Sequence, residues 1–325
     1  MGVDLSIIIV NWNSLAYLRA ALRSLYASPI DVSYEIIVLD NASGDDLGEA
    51  LQRDFPGVRF IQSAVNRGFA GGNNYAFSFS SGRYALFLNP DTEIVGDAIT
   101  RMVRFLDNCT SAGIAGPMLL NSDSTVQGSC VCAFPTILSE LLDSEALRRR
   151  FPRSPLWGAS ALLDNAGSPA KVDAVSGASL MIRRGVFEAV GMLTVDYFMY
   201  AEDVDLCYKA RRAGWNTYFL PAAVVVHHGG KSSSAVKDPH FSSILLKESR
   251  FRFFRRNRGW CYANVYRISV AFAALVRAMV LAVSLVFAPK PDAPALRRSL
   301  EKWRRILAWS FGAESRISLG NYGAM

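Results

Sequence analysis

The sequence predicts an α/β protein: a mostly parallel sheet flanked by helices, followed by a C-terminal helical extension. Three observations lead there. Short, nearly continuous apolar runs such as LSIIIV (5–10), EIIVL (35–39) and YALFL (84–88) read as strands buried on both faces. Stretches of helical period alternate with them, the order that builds a parallel sheet covered on both sides. Beyond residue 240 the chain turns strongly basic and then apolar for 21 residues, Ile268 to Ala288, with Arg277 as the one charge.

The elements follow in order. The first run, apolar except for Ser6, ends at NWNS, and a helical pattern runs from Leu15 to Leu25. The second strand ends in Asp40-Asn41. VRFIQS (58–63) is the third, followed by the Gly/Asn-rich loop NRGFAGGNN and a helix expected over Asn73 to Ser80. The fourth, YALFL, stops at Asn89-Pro90-Asp91, because proline removes a ladder donor and biases its predecessor away from helix. GIAGPMLL (113–120) is a further strand. Residues 121–170 mix Ser, Pro and Gly with arginines at 148–150 and are expected to be irregular and partly mobile. DAVSGASLMIRRGVFEAVG (173–191) reads as strand, tight turn and helix. FMYAEDVDLCYKARRAGW carries an acidic cluster into an amphipathic helix ending at Gly214, and TYFLPAAVVVHHGGKSS reads as a strand pair opening into a His/Gly/Ser loop.

With 325 residues, 51% hydrophobic, the chain is long enough for one large domain or two modest ones. Its net charge of +7 is unevenly spread: residues 241–325 hold 15 Lys and Arg against 4 acidic residues, whereas residues 1–240 hold 20 against 24. A basic tail on a mildly acidic body points to an anionic surface. No recognised nucleic-acid-binding fold surrounds the basic patch, so membrane lipid is expected and nucleic acid is not. Five scattered cysteines, with Cys130 and Cys132 too close for an ordinary zinc pair, read as reduced cytosolic thiols. The chain enters its first strand at once, so no leader is expected.

In a doubly wound sheet, ligands bind beyond the carboxyl ends of the strands. Four such ends carry Asn11, Asp40, Asn66 and Asp91. Asp91 suits Mg²⁺ or Mn²⁺, which prefer oxygen donors and share them with substrate phosphates. Its alternative role is a helix cap, since a helix start can follow it. Asp40 can accept from a base or a ribose hydroxyl, or close an Asx-turn. The Asn66–Asn74 loop lets backbone approach a phosphate, or is an ordinary turn; it is neither a Walker loop nor GxGxxG. Glu202, Asp203 and Asp205 raise one another's proton affinity, which suits a general base; Asp205 is also placed to complement a helix dipole. His227 and His228 are two of three histidines in the chain, and imidazole is a good ligand for a divalent ion.

IIIVNWN, IIVLDNASGD, NRGFAGGNN, LFLNPD, SGASLMIRR, YAEDVDLCYKARRAGW and VVHHGGKSS, in this order over residues 4–240, resemble family 2 glycosyltransferases of GT-A fold. More narrowly they are similar to the bacterial rhamnosyltransferase-like branch. The resemblance implies inverting transfer of a sugar, rhamnose first among candidates, from a nucleoside diphosphate to an acceptor hydroxyl. It implies that residues 1–115 form the nucleotide-sugar half and 116–240 the acceptor and base half; the basic and apolar composition of 241–325 marks it as a membrane-associating helical extension. Asn11 and Asp40 would contact base and ribose, while Asn66, Gly72 and Asn73 line the nucleotide pocket. NPD stands where the family usually has Asp-X-Asp, so Asp91 would hold Mg²⁺ or Mn²⁺ with one carboxylate fewer, Asn89 taking the other place. His227, spaced from Gly230 and Ser232 as in the family's H-x-x-G-x-S, would add a metal or diphosphate contact. Asp203 would be the base and Glu202 its helper. Trp215 and His228 are candidate acceptor contacts; Trp215 is equally a core residue at a helix end. The donor implied is dTDP-rhamnose, with UDP- or GDP-sugars as alternatives, and the acceptor a glycan or polyprenyl-diphosphate-linked sugar. A nucleotidyltransferase or an inactive sugar-nucleotide-binding module are the rival functions. The first usually needs a basic Gly-rich loop after strand one, which NWNS lacks.

The tail poses a membrane question. Ile268–Ala288 holds 11 Leu, Ile, Val and Phe residues, worth roughly −3 to −6 kcal/mol of insertion, against about +2.5 to +3.5 for Arg277 next to its midpoint. The balance is near zero. Arg267, Ser269, Arg277 and Ser284 share one arc of a helical wheel. An interfacial helix, or one packed on the protein, is therefore expected rather than a span, with the chain peripheral at the cytoplasmic face of the membrane.

Overall fold

A computed structural model describes residues 2–44, 47–163, 167–197, 199–229, 240–287, 289 and 293–312. Residues group into two compact units: Met1–Phe134, Ala146–Val195 and Glu202–Ala235 form the first, and Pro135–Glu145, Asp196–Ala201 and Val236–Met325 the second.

The first unit is built on β1 (Leu5–Asn11), β2 (Tyr34–Asp40), β3 (Val58–Gln62), β4 (Tyr84–Leu88), β5 (Thr92–Val95), β6 (Ala112–Leu120), β7 (Val131–Cys132), β8 (Ala170–Val172), β9 (Ala174–Val175), β10 (Ser179–Arg183) and β11 (Asn216–His227). Among the described residues the main sheet has nine strands, in the order β3-β2-β1-β4-β10-β6-β11-β5, with β8 also on β11; β7 and β9 pair separately. β1 to β4 are mutually parallel, and β6 is parallel to β11. β10 runs antiparallel between β4 and β6. The apolar runs are buried as expected: Ile7, Ile8, Ile9, Ile37, Val38 and Leu86 have no exposed surface.

Helices α1 (Leu15–Ala27), α2 (Leu47–Asp54), α3 (Gly68–Phe77), α4 (Ala98–Asn108), α5 (Ile137–Leu142), α6 (Glu145–Arg150), α7 (Ser160–Leu163), α8 (Arg184–Ala189) and α9 (Glu202–Arg212) connect the strands. In α1 the buried residues are Leu18, Ala21, Leu22 and Leu25, and in α4 they include Ile99, Met102, Val103 and Leu106. Each set is a stripe at three- and four-residue spacing, which turns one helix face to the sheet.

Three local expectations are corrected. α3 starts at Gly68, five residues before Asn73, because the Asn66 Oδ1 accepts the Gly68 N–H at 2.9 Å and so satisfies a donor of the first turn. Asp91 precedes a strand, β5, and not a helix, so its helix-cap role falls away. TYFLPAAVVVH is a single strand, β11, with a register shift between Leu220 and Val224 where Pro221 interrupts pairing.

In the second unit, α5 joins α10 (Phe241–Arg258), α11 (Trp260–Phe287) and α12 (Ala293–Ser310). Gly259, at φ +90°, makes the break between α10 and α11 in a backbone region that favours glycine. Glu140 of α5 takes Lys247 Nζ and Arg250 Nε, each at 3.1 Å. α11 carries its arginines toward neighbours. Arg267 Nη2 donates to the Trp309 carbonyl at 3.0 Å, and Arg277 Nη2 to the Leu141 carbonyl at 3.1 Å. The Arg277 guanidinium also lies 4.4 Å from the centre of the Trp303 ring. The other side of α11 is apolar and bare: Ile268 and Phe272 are each 69% exposed and Phe287 82%. By length and composition α11 is apolar enough to cross a membrane.

Candidate active site

The register aligns the strand ends. Asn11 pairs with Asp40, and Asp40 with Gln62, at the carboxyl edge of β1, β2 and β3. Ser179, the first residue of β10, lies opposite Leu88, the last of β4, so the entry to β10 shares that edge. His227, ending β11, lies opposite Thr92. Antiparallel insertion of β10 thus brings Ser176–Ala178 beside Asn89, whose N–H donates to the Ala178 carbonyl at 2.9 Å.

At one end of this edge lies an amide-rich, hydrogen-bonded cluster. Asp40 is fully buried and accepts from Asn11 Nδ2 at 3.2 Å, the Ser43 N–H at 3.0 Å and Gln62 Nε2 at 2.7 Å. Its carboxylate orders the turn after β2. Asn11 Oδ1 is buried and accepts no hydrogen bond among the described residues. Asn41 clasps the next loop: its Nδ2 donates to Asn66 Oδ1 at 2.9 Å, and its Oδ1 takes the Arg67 N–H at 2.8 Å. Gly72 faces β1 so closely that a Cβ there would sit 2.9 Å from Val10 Cγ1. Asn73, 1% exposed, bonds back to the Phe69 carbonyl inside its own helix at 2.9 Å. Gly72 and Asn73 are therefore wall and packing rather than loop.

The middle holds Asn89, Asp91 and His227. His227 Nε2 is 3.4 Å from Asp91 Oδ1 and 3.5 Å from Asn89 Nδ2. Metal–nitrogen and metal–oxygen bonds near 2.0–2.2 Å put two ligands of one ion roughly 3 Å apart. The pair therefore fits a shared divalent cation. Among the described residues no group of three or more His, Cys, Asp or Glu is spaced to hold a metal, so water and substrate oxygens would complete the shell. Gly230 and Ser232 lie outside the described residues.

Beside Asn89 stands the acidic helix start. Asp203 Oδ2 accepts the Gly177 N–H and its Oδ1 the Val204 N–H, both at 2.8 Å. A Cβ on Gly177 would come 3.2 Å from Asp203 Cβ, so only glycine leaves this approach unforced. Glu202 is buried next to it. Asp205 lies in the first turn of α9, as its dipole role expects; it is fully buried and accepts Thr194 Oγ1 at 2.6 Å, while Asn74 grips the neighbouring Leu193 backbone through both ends of its amide. Just upstream, Tyr200 and Ala201 hold φ of 70° and 71°, a left-handed pair without glycine.

The two remaining candidates separate. His228 is on the edge, with Nε2 2.7 Å from Glu93 Oε1, Nδ1 2.8 Å from Ser122 Oγ, and its ring against Tyr17. Trp215 is not. It leads into Asn216, which pairs with Ala112, and Arg183 donates to the Ala112 carbonyl from the strand position opposite Tyr84. That is the amino edge of the central strands, where Trp215 packs against Gly113. Sequence reasoning missed Gln127, Glu93, Ser122 and Gly177. Gln127 Nε2 donates to the His227 carbonyl at 2.6 Å, and its Oε1 lies 3.0 Å from His227 Nδ1. No local signal marks a residue 100 positions from its partner.

The chain is similar to known proteins in sequence and in fold. The family model described as glycosyl transferase family 2 matches residues 6–130. The chain is 33% identical over 229 residues to the low-salt glycan biosynthesis hexosyltransferase Agl10 of Haloferax volcanii, covering 69% of this chain and 67% of that one. It is 28% identical over 269 residues to the N-acetylglucosaminyl-diphospho-decaprenol L-rhamnosyltransferase of Mycobacterium tuberculosis, covering 79% and 86%. In fold it is similar to the mannosyltransferase PcManGT of Pyrobaculum calidifontis, solved with GDP-Man and Mn²⁺: TM-score 0.58 at 16% identity, covering 95% of this chain and 86% of that one. The family-model match and the 33%-identical relative show that the chain belongs to glycosyltransferase family 2, and its mostly parallel sheet flanked by helices has the GT-A fold.

Proposed function

We propose that the chain transfers a hexose, with inversion, from a nucleoside diphosphate sugar to a hydroxyl of a lipid-linked glycan in cell-surface polysaccharide synthesis. The observation that carries this is the spacing around one short segment. Asn89 is hydrogen-bonded to Ala178 and Asp203 to Gly177, so Asp203 and the residue that His227 Nε2 approaches at 3.5 Å meet the same dipeptide. Inverting transfer needs this arrangement: a base on the acceptor side and charge neutralisation on the leaving-group side.

Asp91 and His227 would hold Mg²⁺ or Mn²⁺, which supplies positive charge to the departing diphosphate. Asn11, Asp40 and Asn66 shape the floor under the nucleoside, and the buried Asn11 Oδ1 is an acceptor suited to a base or ribose donor. Asp203, held by two backbone N–H bonds, takes the acceptor hydroxyl proton as the new C–O bond forms and the bond to the diphosphate breaks. Glu202, beside it, orients the acceptor. No covalent enzyme intermediate is involved.

The sugar favoured is rhamnose, on the strength of the mycobacterial relative's name, which also supports a polyprenyl-diphosphate-linked acceptor; dTDP is the carrier that the resemblance in sequence implies. The bare apolar side of α11, its arginines turned to protein partners, supports peripheral attachment to the inner face of the membrane. A thermal-shift panel of dTDP-, UDP- and GDP-sugars, with and without Mn²⁺ or Mg²⁺, tests the reading. A rise in Tm that requires both nucleotide and metal supports it, and no stabilisation by any nucleoside diphosphate would end it.

A further inference from the structure

The geometry points to Gln127 as a positioning residue that sets the tautomer of His227 and so aims its lone pair at the cation site. The inference rests on the reading of His227 as a metal ligand and goes beyond it to a residue with no carboxylate, imidazole or motif to mark it.

The argument is one of donors and acceptors. A backbone carbonyl can only accept, so the 2.6 Å contact with the His227 carbonyl requires the NH₂ end of the Gln127 amide. The oxygen end then faces His227 Nδ1, 3.0 Å away. That oxygen can only accept as well, so Nδ1 must carry the proton. In a neutral imidazole this leaves Nε2 with a lone pair. Nε2 faces Asn89 Nδ2, a donor, at 3.5 Å and Asp91 Oδ1, an acceptor, at 3.4 Å. Two lone-pair atoms opposed at 3.4 Å are unfavourable alone and favourable around a cation.

Gln127 is itself held. Its N–H donates to the Leu119 carbonyl on β6 at 2.9 Å, and its carbonyl accepts the Cys130 N–H at 3.1 Å. It therefore fastens β11 to the segment after β6 while orienting the ring. Metal-bound histidines elsewhere owe their tautomer to such a partner on the second nitrogen, and losing that partner typically weakens metal binding about 10–100-fold.

The test reads the ring directly. Long-range ¹H–¹⁵N correlation spectra of chelator-treated, ¹⁵N-histidine-labelled protein report the tautomer of each of only three histidines. Wild type is expected to show His227 protonated at Nδ1. Gln127→Met, similar in shape but unable to form either bond, is expected to shift His227 toward the Nε2-protonated form. Gln127→Glu loses the donor to the His227 carbonyl but keeps an acceptor for Nδ1, and is expected to keep Nδ1 protonated, a rescue that loss of packing would not give. Mn²⁺ affinity, followed by the electron paramagnetic resonance of free Mn²⁺ with dTDP present, is expected to fall about 10–100-fold in Gln127→Met and to be largely restored in Gln127→Glu. An unchanged tautomer in Gln127→Met overturns the inference, whatever the metal does. Unchanged Mn²⁺ affinity in His227→Ala instead overturns the metal-ligand reading on which it rests. Melting curves of each variant establish that both readouts come from folded protein.

Discussion

Asp203→Asn separates a base from a structural acceptor. In the wild type each carboxylate oxygen takes one backbone N–H, from Gly177 and from Val204, at 2.8 Å. Asparagine retains one acceptor, so one of those N–H groups faces an NH₂ instead. Losing a hydrogen bond at a partly exposed position costs about 1 kcal/mol, a drop of about 2–4 °C in Tm for a unit of this size. Removing a general base costs about 10²–10⁴ in rate, or about 2.7–5.5 kcal/mol of barrier. The two magnitudes do not overlap. The assay is release of nucleoside diphosphate in the presence of acceptor, with donor affinity measured separately by calorimetry. The expected result is a loss of at least about 100-fold in kcat, with donor Kd within about threefold. A loss below about tenfold would remove Asp203 from the role of base.

Other perturbations address different links. Gly177→Ala brings a Cβ to 3.2 Å from Asp203 Cβ and displaces that carboxylate by a few tenths of an ångström; kcat should fall about tenfold with donor affinity unchanged. A combined Phe272→Glu and Val280→Glu change on the bare side of α11 should abolish co-sedimentation with anionic vesicles while leaving circular dichroism intact; retained binding would relocate the membrane contact. Burial, reinforced by the nearby Asp203 charge, pushes the Cys207 thiol up to about 12 from its ordinary 9.0. The unfolded chain then releases that proton first, so stability present below pH 9 declines as pH rises toward 12. Cys207→Ala should flatten this decline, as read from urea midpoints on either side of pH 9.

The carboxyl edge of the parallel strands was legible because buried parallel strands advertise themselves as unbroken apolar runs, and the polar residue ending each run marks the edge. Asn11, Asp40 and Asn89-Pro90-Asp91 were found that way. The acidic helix was legible from its three carboxylates, but the split among them was not. Asp205 is a buried anchor for Thr194 and Asp203 a ligand of Gly177 only because α9 packs as it does. The two readings of Trp215 stayed open in sequence because a tryptophan after a helix-ending Gly214 looks the same at either edge of a sheet; its packing against Gly113 favours the core reading. The turn toward β5 after Asp91 depends on pairing with β11, over 120 residues away, which no local pattern encodes. Gln127 was invisible for the same reason: its two bonds are made to one distant residue.

The strand between β4 and β6 has a consequence for the order in which the chain can assemble. β4 is complete at Leu88, yet its neighbour on that side, β10, is not made until Arg183. At about 5–20 residues per second of synthesis, the free flank of YALFL waits about 5–20 s with no native partner. During that interval it is a flat, wholly apolar edge of the kind that pairs with other chains. The nascent protein is therefore most vulnerable to aggregation midway through its own translation, and shielding over that interval should raise its yield more than any change to the finished surface.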